Sequence, residues 1–175
     1  MRHRLLLTSL LVFSLSALAG QLQEGQEAYE AGNFSRAVEL LGPLAKQNDP
    51  KAQFRLGMMY YHGQGVVEDE KIAVDWLKKS AAQGHIEAKF ELGNAFLLGH
   101  QALKLTSEPD REAAIWYHEA AQAGHSSAQY HLGLLFLAGN GVLQNREEAM
   151  AWFNKAAAQG HEEAKRSLGQ VEKSK

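Results

Sequence analysis

The stretch AQFRLGMMYYHGQGVVEDEKIAVDWLKKSAAQGH, residues 52–85, is written into this chain more than once. Its alanine returns as Ala88, Ala128 and Ala164, at steps of 36, 40 and 36 residues. Four positions after each alanine comes Leu-Gly: Leu56-Gly57, Leu92-Gly93, Leu132-Gly133 and Leu168-Gly169. Trp76, Trp116 and Trp152 precede Gly84-His85, Gly124-His125 and Gly160-His161 at one fixed interval. A period in this range marks a helical solenoid, because one unit cannot bury its apolar face alone and must stack on its neighbours.

Within the unit, Ala52, Leu56 and Tyr60 recur as Ala88, Leu92, Phe96 and as Ala128, Leu132, Phe136, which places them on one face of a first helix, A. An aromatic two positions past each alanine (Phe54, Phe90, Tyr130) points elsewhere, so helix A must bury two flanks. The mid-helix glycines Gly57, Gly93 and Gly133 cost helix propensity, and close approach of a neighbouring helix is the expected compensation. Gly63-Gln64-Gly65-Val66 and Gly139-Asn140-Gly141-Val142 supply positive φ for a turn, and Asp69 and Asn145 stand where N-caps belong. In the second helix, B, the faces Ala73-Trp76-Leu77-Ala81, Ala113-Trp116-Tyr117-Ala121 and Ala149-Trp152-Phe153-Ala157 alternate alanines with aromatics. They predict the three tryptophans as one internal ladder, with Gly84, Gly124 and Gly160 as helix stops.

Outside the repeats, Arg2, His3 and Arg4 precede an apolar run from Leu5 to Leu18 and an Ala17-Leu18-Ala19 motif, the pattern of a signal peptide over residues 1–19 cleaved after Ala19. That run is too short to span a bilayer, which takes roughly 20 apolar residues. Residues 20–50 read as a helix pair: Ala28-Tyr29, a turn at Gly32-Asn33, and a B-type helix with Pro43 inside, where a bend is expected near Glu39. In this pair Asn48 replaces the stop glycine. Residues 51–162 hold three full repeats, and residues 163–175 a capping helix with a polar tail. The expectation is an all-α, right-handed αα superhelical solenoid of about nine helices.

The pattern Ala52, Leu56-Gly57, Tyr60, Gly63-x-Gly65-Val66, Asp69, Ala73, Trp76, Ala81, Gly84-His85 resembles the Sel-like repeat (SLR), a relative of the tetratricopeptide repeat, and Ala28 to Ala37 resembles a tetratricopeptide unit. The resemblance covers nearly all of the chain after the leader. It implies a scaffold for protein–protein contact. Exported members of that family include envelope-assembly scaffolds, virulence factors and immunity partners of secreted antibacterial toxins. It brings no catalytic residues with it.

The chemistry available in the residues is sparse. Without Arg2 and Arg4 the chain holds 16 basic against 20 acidic residues, a balance that argues against a nucleic-acid partner. It has no cysteine, which removes thiolate nucleophiles and Cys-based zinc patterns. His85, His125 and His161 occupy equivalent positions in separate layers and cannot share one ion, so they are read as packing or hydrogen-bonding groups beside the helix stop. No G-x-S-x-G or S-x-x-K motif occurs. The reading is therefore of no catalytic residues, no cofactor, no metal and no membrane insertion. The rival of another class is a small cell-wall hydrolase, for which only His62 and His131 offer themselves.

Two surfaces remain as candidates for partner binding. One is a concave stripe of helix-A positions: Lys51, Arg55, Met58 and His62; Glu87, Glu91, Asn94 and Leu98; Ser127, His131, Leu134 and Ala138. These vary from repeat to repeat while the signature positions hold. The other is a rim loop around His100, Leu103, Lys104 and Leu105, four residues longer than its counterparts, where Ser107 to Asp110 is expected to form a capping box for the next helix. The functional expectation is a monomeric periplasmic protein binding one protein partner. The first role in view is an immunity protein occluding a secreted, lipase-type toxin, with an envelope or polysaccharide assembly adaptor as the alternative.

Overall fold

The computed structural model describes residues 17–99 and 102–173, excepting the side chains of Ala102, Leu103 and Glu172. Most of the leader, His100, the Leu103 side chain and the end of the tail lie outside the described residues. All regular structure among them is helical. It comprises α1 (residues 17–30), α2 (Phe34–Lys46), α3 (Pro50–His62), α4 (Glu70–Ala82), α5 (Ile86–Leu98), α6 (Ala102–Leu105), α7 (Pro109–Gln122), α8 (Ser126–Ala138), α9 (Arg146–Ala158) and α10 (Glu162–Lys173). Nine of these are the expected helices. The additional one is α6, a single turn inside the inserted segment.

The chain forms two compact units, residues 1–80 and 81–175. In the first, α2 packs on α3 around Ala37, Leu41, Leu44, Ala45, Ala52, Leu56 and Met59, with Leu22, Tyr29, Tyr60 and Trp76 against the rim of this core. In the second, α5 packs on α7, α7 on α8, α8 on α9 and α9 on α10. The repeating alanines of the A helices (Ala52, Ala88, Ala128, Ala164) and of the B helices (Ala37, Ala73, Ala113, Ala149) all have zero exposure. A side chain of one methyl at each such point lets two helix backbones approach closely.

The anchors of the B helices are not the tryptophans. Trp76 and Trp116 are half-buried, and Trp152 alone of the three is buried. The fully enclosed residue is the next one along: Leu77, Tyr117 and Phe153. Each fills a notch cut by a mid-helix glycine of helix A. A Cβ on Gly57 would stand 2.9 Å from Leu77 Cγ, one on Gly93 2.5 Å from the Tyr117 ring, and one on Gly133 2.6 Å from the Phe153 ring. Gly25 of α1 plays the same part for Leu41, at 2.5 Å, and extends the repeat logic to the first helix pair. The tryptophans take a flanking place instead. Lys79 Nζ lies 4.0 Å from the Trp76 ring centroid and Lys155 Nζ 3.7 Å from that of Trp152, which places an ammonium group over each indole face.

Local signals account for the helix ends. Gly63 and Gly139 close their helices in the left-handed region, at φ 65° and 80°, and Asn48 does likewise in the first pair, at φ 72°. Asp69 Oδ1 accepts from the Ile72 N–H at 2.9 Å, and Asn145 Oδ1 from Glu147 and Glu148 at 3.0 and 3.1 Å. Helix α2 continues through Pro43. The expected capping box before α7 is absent: Glu108 stands at the N-cap without a side-chain capping bond. Pro109 at the first helical position has no N–H to satisfy, and the Glu108 carboxylate reaches Arg111 at 3.1 Å instead.

Candidate functional site

The three equivalent histidines form hydrogen bonds beside the helix stop as expected: the His125 and His161 N–H groups donate into the preceding helix, to Ala120 and Ala156, and the side chains of all three cap the following one. Nδ1 of His85, His125 and His161 accepts from the backbone N–H of Ala88, Ala128 and Ala164 at 3.3, 3.1 and 3.4 Å. In the first helix pair Asp49 holds the same position and caps Ala52 at 2.8 Å. The ring adds a second contact that explains the aromatic on the other flank of helix A: Phe90 stacks on His125 at 4.3 Å and Tyr130 on His161 at 4.8 Å.

A ring nitrogen that accepts must be unprotonated. Burial holds His125 below its ordinary value of 6.5; Glu87 and Glu91 pull it back up, and His131 pushes it further down. The folded form therefore resists protonation more than the unfolded chain does. Stability from this group is full above about pH 6.5 and drains away as the pH falls below that value. His125→Asn keeps an acceptor that does not titrate. Its urea midpoint should change less than that of the parent protein between about pH 7.5 and about pH 5. Identical slopes would show that His125 contributes nothing to acid sensitivity.

The helix-A stripe is open at its ends and drawn into packing at its middle. In the first unit Lys51 and His62 are exposed, and Met58 and Arg55 half-buried. The Arg55 guanidinium lies 4.4 Å over the Tyr29 ring, and the His62 ring stands edge-on to Tyr61 at 5.2 Å. In the second unit Glu87, Leu98 and Ala138 are exposed, while Glu91, Asn94, Ser127, His131 and Leu134 are half-buried. There Tyr117 ties α5 to α7: its hydroxyl donates to Asn94 Oδ1 at 2.7 Å, and Asn94 Nδ2 donates to Glu91 Oε2 at 3.0 Å. The His131 ring stacks on Tyr117 at 5.2 Å, with Nδ1 2.8 Å from the Ser127 carbonyl oxygen. Leu134 packs against the core around Phe153.

At the inserted segment, α6 replaces the expected loop and lies against α5 and α7. Lys104 is exposed and Leu105 half-buried. Among the described residues no group of three or more His, Asp or Glu side chains could hold a metal ion, and no helix is long and apolar enough to cross a membrane.

Sequence reasoning passed over two buried glutamines. Gln53 Nε2 donates to the Ala45 carbonyl and Gln129 Nε2 to the Ala121 carbonyl, both at 3.1 Å, which satisfies the end of one B helix from the A helix of the next repeat. The signal was present: Gln follows the signature alanine at both places, with Lys89 between them.

Comparison with known proteins agrees with this architecture. The Sel1 repeat model matches residues 50–85, 86–125 and 126–161. A protective antigen present in uropathogenic Escherichia coli strains, described as displaying an SLR fold, superposes with a TM-score of 0.79 at 27% identity, over 88% of this chain and 33% of its own. A Sel1 repeat protein from Oxalobacter formigenes gives a TM-score of 0.77 at 32% identity, over 85% of this chain and 60% of its own. Protein SHC1 of Saccharomyces cerevisiae is 33% identical over 94 residues, and the match spans 47% of this chain and 18% of that protein. The fold class is the SLR solenoid of these neighbours. With the repeat model matched from residue 50 to residue 161, more than half of its length, the chain belongs to the Sel1 repeat family.

Proposed function

We propose that this chain is a non-catalytic protein-interaction module of the periplasm that binds one protein partner through its helix-A stripe. Sel1 repeat proteins typically mediate protein–protein interaction, and the residues here divide accordingly. Signature positions are spent on alanine contacts, glycine notches and caps. The observation that carries the reading is the variety along the stripe: Glu87 and Leu98 stay exposed, Leu98 at 67%, at positions occupied elsewhere by Lys51 and His62 or by Ser127 and Ala138. An exposed leucine at one end of a helix face that carries a charge at the other suits an interface with an apolar contact and a polar rim.

The role we favour is immunity: a stoichiometric blocker of a secreted antibacterial toxin of lipase type. The leader pattern before Gly20 supports export, as does the neighbour described as a protective antigen. The experiment is a pull-down from a periplasmic fraction with the tagged chain, its intact mass giving the processing site in the same sample. Glu87→Lys and Leu98→Asp should each weaken capture about tenfold or more, as for residues worth ~1–2 kcal/mol in an interface core. Undiminished capture by both variants would remove the stripe from the interface. A captured toxin inhibited one-to-one identifies immunity, whereas an assembly protein identifies the adaptor.

A further inference from the structure

The second unit carries a cleft that shares no residue with the stripe and is lined by α7, α8 and the turn that follows α8. It is about 480 Å³ in volume, floored by Ala114, Leu132, Phe136 and Val142, with Ile115 at its edge. That is the size of cavities that accept a ligand or a side-chain anchor. Ile115 is 46% exposed. Its counterparts are Glu39, Asp75 and Ala151, all exposed, so scaffold packing does not call for a large apolar group at this place. The one repeat that puts isoleucine there is also the one that carries the insertion. A second cleft of about 350 Å³, lined by Ser107, Glu108, Pro109 and Asp110, adjoins the first through the shared Arg111 and Gly141.

The charges at the mouth have a sign. Arg111 is held by Glu108 at 3.1 Å, and Glu119 by Lys89 at 3.0 Å. Asp110, which lines the adjoining cleft, is exposed and has no ion-pair partner among the described residues. The first cleft is thus apolar between Arg111, His118 and Glu119, and across the two adjoining clefts the charge left unpaired is the Asp110 carboxylate.

We infer that this cleft is a second protein-docking site, which takes a single aliphatic or aromatic side chain of a partner segment flanked by Lys or Arg. The apolar side chain covers Ile115, Phe136 and Val142, a small enclosed contact of the kind that concentrates binding energy. The flanking cation meets Asp110 and steers the approach. This site does not depend on the helix-A stripe, and variants of one leave the other intact.

The probes are two peptides, Ac-Gly-Lys-Phe-Lys-Gly-amide and its counterpart with Glu in place of Lys, titrated into isotope-labelled full chain and followed by NMR. The basic peptide should shift the Ile115 and Val142 methyl signals saturably in the millimolar range, and the acidic one should bind several-fold more weakly. Ile115→Ala should weaken the basic peptide about tenfold, the loss expected for most of an isoleucine's burial. That variant restores what the last full repeat carries at Ala151, so it leaves folding intact. Asp110→Lys should erase the preference between the peptides. Absence of saturable shifts, or equal binding by Ile115→Ala, overturns the site, and equal binding of the two peptides overturns the basic partner. A mass that rises with concentration in light scattering and returns to monomer in Ile115→Ala would seat a second copy of the chain there, and would overturn the proposal in favour of self-association.

Discussion

Tyr117→Ala should lower the unfolding free energy by about 3–5 kcal/mol, the range for removing a large ring from a core that cannot close over the space. Tyr117 has zero exposure, its ring fills the notch at Gly93, and its hydroxyl donates to Asn94. Tyr117→Phe removes the last of these alone and should cost about 0.5–1.5 kcal/mol, which separates the hydrogen bond from the packing. Trp116→Ala should cost less than Tyr117→Ala despite deleting more atoms, because Trp116 is only half-buried. Urea denaturation of the three variants, with slopes compared to exclude a change in cooperativity, measures the order. If Trp116→Ala proves the most damaging, the tryptophan and not its neighbour anchors helix B.

Gly141→Ala should be costly for a change of one methyl. The residue has φ 67°, and its Cβ would be driven into the Asp110 carbonyl at the start of α7. The left-handed conformation costs about 1–2 kcal/mol for a residue with a Cβ. Displacing backbone adds about 1–3 kcal/mol as overpacking. Gly32→Ala is the control, since Gly32 has φ 74° with nothing within 4 Å of the added carbon, and should show the conformational part alone. Equal losses in the two variants would mean that the contact with α7 relaxes freely.

Much of this fold could be read wherever the chain offered several copies of one position. The alanine contacts, Leu-Gly steps, Gly-x-Gly turns and the Asp69 and Asn145 caps were each visible as a repeated choice under changing neighbours. The anchor of helix B was harder, because Trp116 and Tyr117 are adjacent on a helical wheel. Which of them enters the core depends on where the glycine of helix A opens its notch. The capping role of the histidines was not read from the sequence, although Asp49 at the position of His85 carried the signal, since carboxylate and imidazole both offer an acceptor to a helix N-terminus. The inserted segment had no second copy to compare with, and there the expected loop and capping box gave way to α6 and the Glu108–Arg111 pair. The stripe was only partly legible for a similar reason: whether Asn94 is free depends on a hydroxyl arriving from α7.

The turns have a bearing on how such a chain grows. Gly65 sits against the Phe34 backbone and Gly141 against Asp110, so each turn is seated on the opening of the B helix one repeat earlier. The helix stops at Gly84, Gly124 and Gly160 and the caps at His85, His125 and His161 stand side by side, one closing a repeat and the other opening the next. A recombination joint between such a glycine and the histidine of another repeat keeps each cap on its helix and each turn on its seat, and the bonds that cross the joint into the B helix are remade by the equivalent residues of the incoming repeat. A cut anywhere else severs a turn from its seat or a cap from its helix. Duplication and loss in a gene of this kind are then tolerated at one joint per repeat, and lengths should change by whole repeats, while insertions such as the four residues gained between Gly99 and Ala113 collect in the segment that joins helix A to helix B.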